Sequence, residues 1–543
     1  MTFRPRSTRT LRSLRSPRSL RSVGLAVSVA LTFSLAAACG SNSSSTTPPA
    51  AAPGPHQGGS LTVLEVGNYA GEWPAGLDPA TNIDGAADQS QMNSIYGQLF
   101  ELGSKGQIIP DLVAGYSFSN GGKTVTLDIR HGVTFQDGTP FNAQAVAFNI
   151  NRVDKSSCSC KPVWPVTSVT ATGPYTVTMQ LSTVYAPIIA SFFDSAANWI
   201  ASPTALSKMG EKAFALKPVG AGPFEVVSDT PNSVLVLKRN PHYWEKGRPY
   251  LNSLTFKTVA SDEAAYEAML AGDGQAYEDM STPAILKEAA QHFVVTNQLS
   301  TSPYDLQLNT ASPPFNNIKA REAIYYATDF PVILQHIFDN LYPQTEGFTG
   351  PGGLCYSPKV PGYRTYDLAK AKALVKSLGG LTISLGTISI LTAQETTEAL
   401  QTQWAAAGIK STIHSYALAS LIAQFTSGKW QAMVQTAGSY DPAVGVGVGF
   451  RFLSTSPFSG VHDPHLDALL NQAAATLNLA DRCKIYDQAA EYISNMAYGP
   501  FYFAFAPANV VVKGVYGPGL TTPLPSVVVT PTIPWEDVYT TLK

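Results

Sequence analysis

Alternation of apolar and polar positions is clearest across residues 114–152. Val125, Leu127 and Ile129 are apolar between Thr124, Thr126, Asp128 and Arg130, the period of a half-buried strand. Asn120-Gly121-Gly122 ahead of it is a turn, as are Arg130-His131-Gly132-Val133 and Asp137-Gly138-Thr139-Pro140 after it. Asn142 then stands where a helix cap belongs, and Val146, Ile150 and Val153 fall on one face of the helix it would start. The helical period returns at Ala320, Ala323, Ile324 and Ala327, spaced i, i+3, i+4 and i+7. His462-Asp463-Pro464-His465 precedes Leu466, Leu469, Leu470 and Ala473. A capping Asp before a proline predicts a helix start there rather than a metal site built on the histidine pair.

This arrangement resembles the signature region of family 5 extracellular solute-binding proteins, the dipeptide, oligopeptide and nickel receptors of ABC importers. Further islands follow in that family's order. Pro218-Val219-Gly220-Ala221-Gly222-Pro223-Phe224 resembles its PVGTGPY turn, and Leu237-Lys238-Arg239-Asn240-Pro241-His242-Tyr243-Trp244 its LxRNPxYW. Leu306-Gln307-Leu308-Asn309-Thr310 with Pro314-Phe315 resembles FNTxxxPF, the Arg321 helix resembles RxAxxYAxD, and Tyr366-Asp367-Leu368-Ala369-Lys370-Ala371 resembles YDxxKA.

The amino terminus predicts export. Seven arginines lie between Arg4 and Arg21 without an acidic residue, an apolar stretch reaches Ala38, and Cys39 follows at once. Residues 1–38 therefore read as a signal peptide, too short in its apolar part for a membrane span, with Cys39 as the lipidation site. Residues 39–59 are mostly Ser, Thr, Pro, Ala and Gly and predict a disordered, lipid-anchored linker. The expected location is the extracytoplasmic face of the cell membrane. The roughly 480 residues beyond are too many for one simple core and predict two lobes or more.

Composition narrows the chemistry. A net charge of −2 with interspersed signs excludes a nucleic-acid surface. The 24 Tyr, 24 Phe and 7 Trp suit a large core first and a sugar or peptide cleft second. Besides Cys39 there are Cys158, Cys160, Cys355 and Cys483, which allow three pairings into two disulfides; a Cys158–Cys160 bridge would close a very tight ring, and a buried free thiol at Cys483 is an equal alternative. No HExxH, GxSxG or CxxC occurs, and a strand, not a helix, follows the superficially phosphate-loop-like Gly122-Lys123-Thr124. Neither an enzyme activity nor a cofactor or metal is expected.

The resemblance implies an α/β, two-lobed periplasmic-binding-protein-like fold with ligand between the lobes. It places the first lobe at 60–299, with a subdomain at about 100–200, the second at 300–505, and a return to the first at 506–543. It implies a monomer that closes like a hinge on a peptide or other small solute and hands it to an ABC permease complex, with a ligand-binding sensor on the same fold, or an exported hydrolase, as the alternatives. Family position makes Tyr69, Trp73, Tyr440, Asp441 and Arg451 the candidate ligand-binding residues, the tyrosines and tryptophan for contact area, Asp441 for a cation and Arg451 for a carboxylate. Where peptide-binding members carry an Asp for the peptide amine, ungapped placement puts Gly438.

Overall fold

A computed structural model describes residues 54–66, 76–81, 89–103, 106–156, 161–279, 282–436, 439–444, 451–527, 530–531 and 533–542. Cys39, Tyr69, Trp73, Cys158, Cys160 and Gly438 lie outside them, as do the leader and most of the linker.

Two sheets organise the molecule as a two-lobed α/β protein. The larger has seven strands in the order Val294–Asn297, Ala508–Val511, Ala276–Asp279, Ser60–Val66, Ser253–Val259, Val234–Arg239, Phe224–Thr230. Ser60–Val66 runs parallel to both neighbours, with Val63 opposite Phe256 and Ala276. Parallel central strands are covered on both faces, which is why Leu61, Val63 and Leu64 are all buried. The second sheet has five strands in the order Ile409–Tyr416, Leu381–Ile388, Ala432–Thr436, Ser302–Leu308, Phe501–Phe505. The chain passes between the sheets between Asn297 and Ser302, and again between Phe505 and Ala508. Gly350 and Gly352 lie against the first crossing so closely that a Cβ would meet Ser300 O at 2.2 Å and Leu299 O at 2.3 Å.

The strand, cap and helix expected within 114–152 form as the pattern dictates. Thr124–Ile129 is a strand in a four-stranded antiparallel sheet, with Val125, Leu127 and Ile129 buried. Asn142 Oδ1 accepts from Ala145 N at 3.0 Å and starts the helix Ala143–Asp154, whose Val146, Ile150 and Val153 are buried. This part shares one hydrophobic core with the seven-stranded sheet. In the second lobe, Asp463 caps the helix Pro464–Ala475 by accepting from His465 N and Leu466 N. No group of three or more His, Cys, Asp or Glu among the described residues could hold a metal ion.

The glycine and asparagine motifs of the first lobe interlock around the end of one helix, Gln89–Tyr96. Gly222 N donates to Ile95 O at 3.0 Å, and a Cβ on Gly220 would stand 2.3 Å from that same oxygen. Gln136 Nε2 reaches Ile95 O at 2.9 Å and Phe224 O at 2.7 Å, while its Oε1 accepts from Gly220 N at 3.0 Å. Asn240 Nδ2 closes the set on Gly222 O at 2.9 Å. Only glycine permits backbone to approach backbone this closely, so the motif is a brace.

Cys355 and Cys483 are disulfide-bonded, which settles one of the open pairings.

Candidate functional site

The braced helix Gln89–Tyr96 is buried along its whole length, yet five of its eight residues are Gln, Ser or Asn. A helix against a core presents an apolar stripe and keeps its polar face in water. Here the polar face is enclosed. Gln91 Nε2 donates to Glu65 Oε2 at 2.5 Å, at the carboxyl end of the central strand Ser60–Val66. Trp199 Nε1 donates to Asn93 Oδ1 at 2.8 Å. Gln91 Oε1, Asn93 Nδ2 and Gln98 Nε2 are buried without a hydrogen-bond partner. Ligands of open α/β sheets sit beyond the carboxyl ends of such strands, and residues 67–75 with Tyr69 and Trp73 follow there in sequence.

From the second sheet, the strand Ala432–Thr436 leads towards residues 439–444, which seat against the first lobe. Tyr440 Oη donates to Gly106 O at 2.8 Å, Tyr440 N donates to Asp194 Oδ2 at 3.2 Å, and the ring stands edge-on to Phe193 with centroids 6.2 Å apart. Tyr185 Oη donates to Ala443 O at 3.0 Å, and Ala186 N to Ala474 O at 2.7 Å. On its other flank, Leu354 N donates to Tyr440 O at 2.7 Å. These contacts form a seam between residues 100–200 and the second lobe.

The seam buries charge. Asp441 is fully enclosed; its Oδ1 accepts from Tyr486 Oη at 2.8 Å and Ala443 N at 3.1 Å, and its Oδ2 lies 3.1 Å from Arg482 Nη2. That last contact is an ion pair without hydrogen-bond alignment, so Oδ2 and Arg482 Nε keep unused hydrogen-bonding capacity. Arg451 pairs with Asp305 at 2.5 Å, both nearly inaccessible, and its backbone oxygen accepts from Gln307 Nε2 at 3.2 Å. Of the sequence-predicted residues, Tyr440 and Asp441 therefore come together in the seam with protein partners, and Arg451 carries its own counter-ion. Asp194, at the end of the helix Ile188–Phe193, gives Oδ2 to Tyr440 while its buried Oδ1 has no hydrogen-bond partner. Burial, with Asp441 nearby, pushes the Asp194 carboxyl well above the usual carboxylate range.

Sequence reasoning missed Gln91, Asn93, Gln98 and Asp194. The available signal was a run of amides with little apolar periodicity, Gln89-Ser90-Gln91-Met92-Asn93, inside a chain otherwise rich in buried faces.

A second charged group lies within the first lobe. Arg248 bridges Glu245 and Asp537, each at 2.5 Å, with Glu101, Asp111 and Glu536 close by. Burial first, then Asp111, pushes Glu101 up to about 8. Trp244, which carries Arg130 4.1 Å above its ring, lines a shallow hollow of about 400 Å³ with Glu245, Lys246 and Arg248, all from one loop.

The fold and motifs have counterparts among known proteins. A glutathione-binding protein of Shigella flexneri, GsiB, is 30% identical over 345 residues, 62% of this chain and 66% of the relative, just under two thirds of its length. The crystal structure of an ABC transporter substrate-binding protein from Listeria monocytogenes, CtaP, superposes with a TM-score of 0.75 at 22% identity, covering 90% of this chain and all of that one. A dipeptide-binding protein from Pseudoalteromonas sp. SM9913, in complex with Met-Leu, gives 0.73 at 18% identity over 88% of this chain and 100% of that one. At these identities the solved structures establish the two-lobed fold. Residues 107–457 match the bacterial extracellular solute-binding proteins, family 5, and the chain belongs to that family.

Proposed function

We propose that this chain is the extracytoplasmic substrate-binding subunit of an ABC importer. It captures a small solute, an oligopeptide or a peptide-like molecule, between its lobes and delivers it to a permease complex. The observation that carries this reading is the polar helix Gln89–Tyr96, with buried amide atoms that lack hydrogen-bond partners and with Gln91 bonded to Glu65 at the carboxyl end of the central strand, where open α/β sheets bind ligands. Solutes named for the relatives, glutathione and the dipeptide Met-Leu, carry the amides, carboxylates and amine such a lining can pair.

In this reading the first lobe comprises residues 60–299 and 506–543, the second 300–505, and the crossings at 297–302 and 505–508 are the hinge. Tyr69 and Trp73 cover the solute from the first lobe. Tyr440 closes over it, Asp441 acts through Arg482, and Arg451 borders the space from the second lobe. Binding favours the closed arrangement because only there do both walls touch the solute. Cys39 carries a lipid and residues 40–59 tether the monomeric body to the extracytoplasmic face of the membrane. No helix of the described residues is long and apolar enough to cross it.

Native mass spectrometry of the purified chain, followed by denaturing identification of what co-purifies, tests the proposal. A bound peptide or peptide-like solute is the expected result. Turnover of an added peptide, ester or glycoside, with nothing retained, would instead favour a hydrolase.

A further inference from the structure

The chain is fixed to the first lobe before its first strand begins. Gln57 Nε2 donates to Gly247 O at 3.1 Å, Gly58 N to Tyr250 O at 2.8 Å, and Asn252 N to Gly59 O at 2.8 Å. These contacts gather at one edge of the seven-stranded sheet. Ser60 pairs with Ser253, shortly after Tyr250, and the antiparallel strand Ala508–Val511 ends opposite Ala276, shortly before Tyr516. This is the amino edge of Ser60–Val66. Glu65, bonded to Gln91, marks the carboxyl edge, about 20 Å away along a seven-residue strand.

The amino edge carries an amphipathic surface. Tyr539 stacks on Tyr516 with ring centroids 5.2 Å apart and stands edge-on to Tyr250 at 6.1 Å and to His56 at 6.2 Å. The three tyrosines are half-buried, and Leu542 beyond them is exposed. Lys246 and Lys513 are exposed on the two adjoining loops. Arg248 takes the acids Glu245 and Asp537, and Lys238 takes Glu225, which leaves Asp273 as an exposed acid of this edge against the two lysines. Tyrosine rings with polar tips, flanked by long cationic side chains, are the composition that settles among lipid headgroups.

The attachment point decides what covers this face. Gly54 stands 15 positions after Cys39. A flexible chain of that length spans about 20 Å on average, close to the radius of gyration of about 23 Å for a body of this size. A lipid on Cys39 therefore holds the amino edge, and not the cleft, beside the bilayer, where individually weak contacts act at high effective concentration.

Building on the lipid-anchored receptor reading, we propose that the face formed by Tyr250, Tyr516, Tyr539 and Leu542 with Lys246 and Lys513 lies on the phospholipid headgroups of the membrane that holds Cys39. The tyrosine rings enter the headgroup layer and the lysines meet lipid phosphates. Every element of this face belongs to the first lobe. The receptor thus rests on that lobe with its cleft edge turned away from the bilayer, and the second lobe stays free to close on a solute.

The test places the lipidated protein on liposomes of three parts phosphatidylcholine to one part phosphatidylglycerol, with the same preparation in nonionic detergent as reference, and reads amide hydrogen exchange. The proposal expects exchange in residues 246–252, 513–517 and 538–542 to slow at least about threefold on liposomes, with the second-lobe helices Leu391–Ala406 and Leu418–Ser427 unchanged. It expects most of the slowing to disappear in the double variant Lys246→Glu, Lys513→Glu, whose exposed positions spare the fold, and in about 0.5 M salt. Equal exchange on both supports, or slowing that appears on the second lobe instead, overturns it. Slowing that survives both charge reversal and salt overturns it as well, and assigns the cover to a second copy or to the tether itself. The mass of the amino-terminal peptide reads the Cys39 lipid separately: without that lipid the proposal falls together with the anchoring, whereas the co-purified solute still decides the receptor reading.

Discussion

The brace around the end of the helix Gln89–Tyr96 differs from that helix's own polar face and from the seam at residues 439–444: all are buried and polar, but they are finished differently. In the brace the side-chain amides of Gln136 and Asn240 are all engaged: Gln136 serves Ile95, Phe224 and Gly220, and Asn240 serves Gly222 and His242 N. On the polar helix and just after it, Gln91, Asn93 and Gln98, and in the seam Asp194, each keep a buried atom without a hydrogen-bond partner. Satisfied polar networks rigidify a fold, whereas unsatisfied ones cost stability and persist where another molecule completes them. On the proposed function, the contrast separates residues that build the fold from residues that wait on a solute.

Substitutions should break that contrast in opposite directions. The largest effect is expected from Gly220→Ala, since the new methyl would press on Ile95 O, a backbone atom that cannot swing away. The cost should be about 3 kcal/mol of unfolding free energy in urea titrations, the upper range for overpacking. Next, Gln136→Ala takes the acceptor from Gly220 N and a side-chain donor from Phe224 O and from Ile95 O, which keeps only Gly222 N, and should cost about 2 kcal/mol by the same measurement.

The acid group around Arg248 gives a third, pH-dependent test. With Glu101 raised from 4.5 to about 8 in the folded state, its contribution is fully present below about pH 4.5 and is lost as pH climbs through 8. Asp111 and Glu536 are raised too and act with the same sign. Unfolding free energy should therefore fall from pH 5 to pH 8, and Glu101→Gln should flatten that slope by up to about 1.4 kcal/mol per pH unit. An unchanged slope would mean that Glu101 does not titrate in this window.

The smallest effect sharpens the comparison most, because its sign is reversed. Asp194→Asn should raise the stability of the solute-free chain by about 1 kcal/mol at pH 8, as removal of a buried, unbalanced charge relieves strain that a site needs and a fold does not. A loss of stability would assign Asp194 to the brace-like class.

Sequence made the brace legible and left the seam dark for a physical reason. Strand alternation at Val125, Leu127 and Ile129, the Asn142 cap and the Asp463 cap depend on neighbours a few residues away, so local pattern carries them. The glycines at 220 and 222 stood out through motif resemblance, although their reason, contact with Ile95 and Gly97, comes from more than a hundred residues upstream. Tyr440 and Asp194 meet across 246 positions, and nothing local to either announces the other. Asp441 looked like a cation partner and does face a cation, but Arg482 of its own chain supplies it, 41 positions on.

The disulfide has a bearing on where such a protein can be made. Cys355 follows Leu354, whose N–H holds Tyr440 O, and Cys483 follows Arg482, which faces Asp441. One covalent link thus fastens both flanks of the 439–444 segment, joining residues 128 positions apart. Thiols are kept reduced in most cytosols and oxidise outside them. A chain matured in a reducing compartment would complete both lobes yet lack the clamp that sets Tyr440 and Arg482 at a fixed spacing, so preparations from the two environments should be compared for affinity before any binding constant is assigned to the sequence.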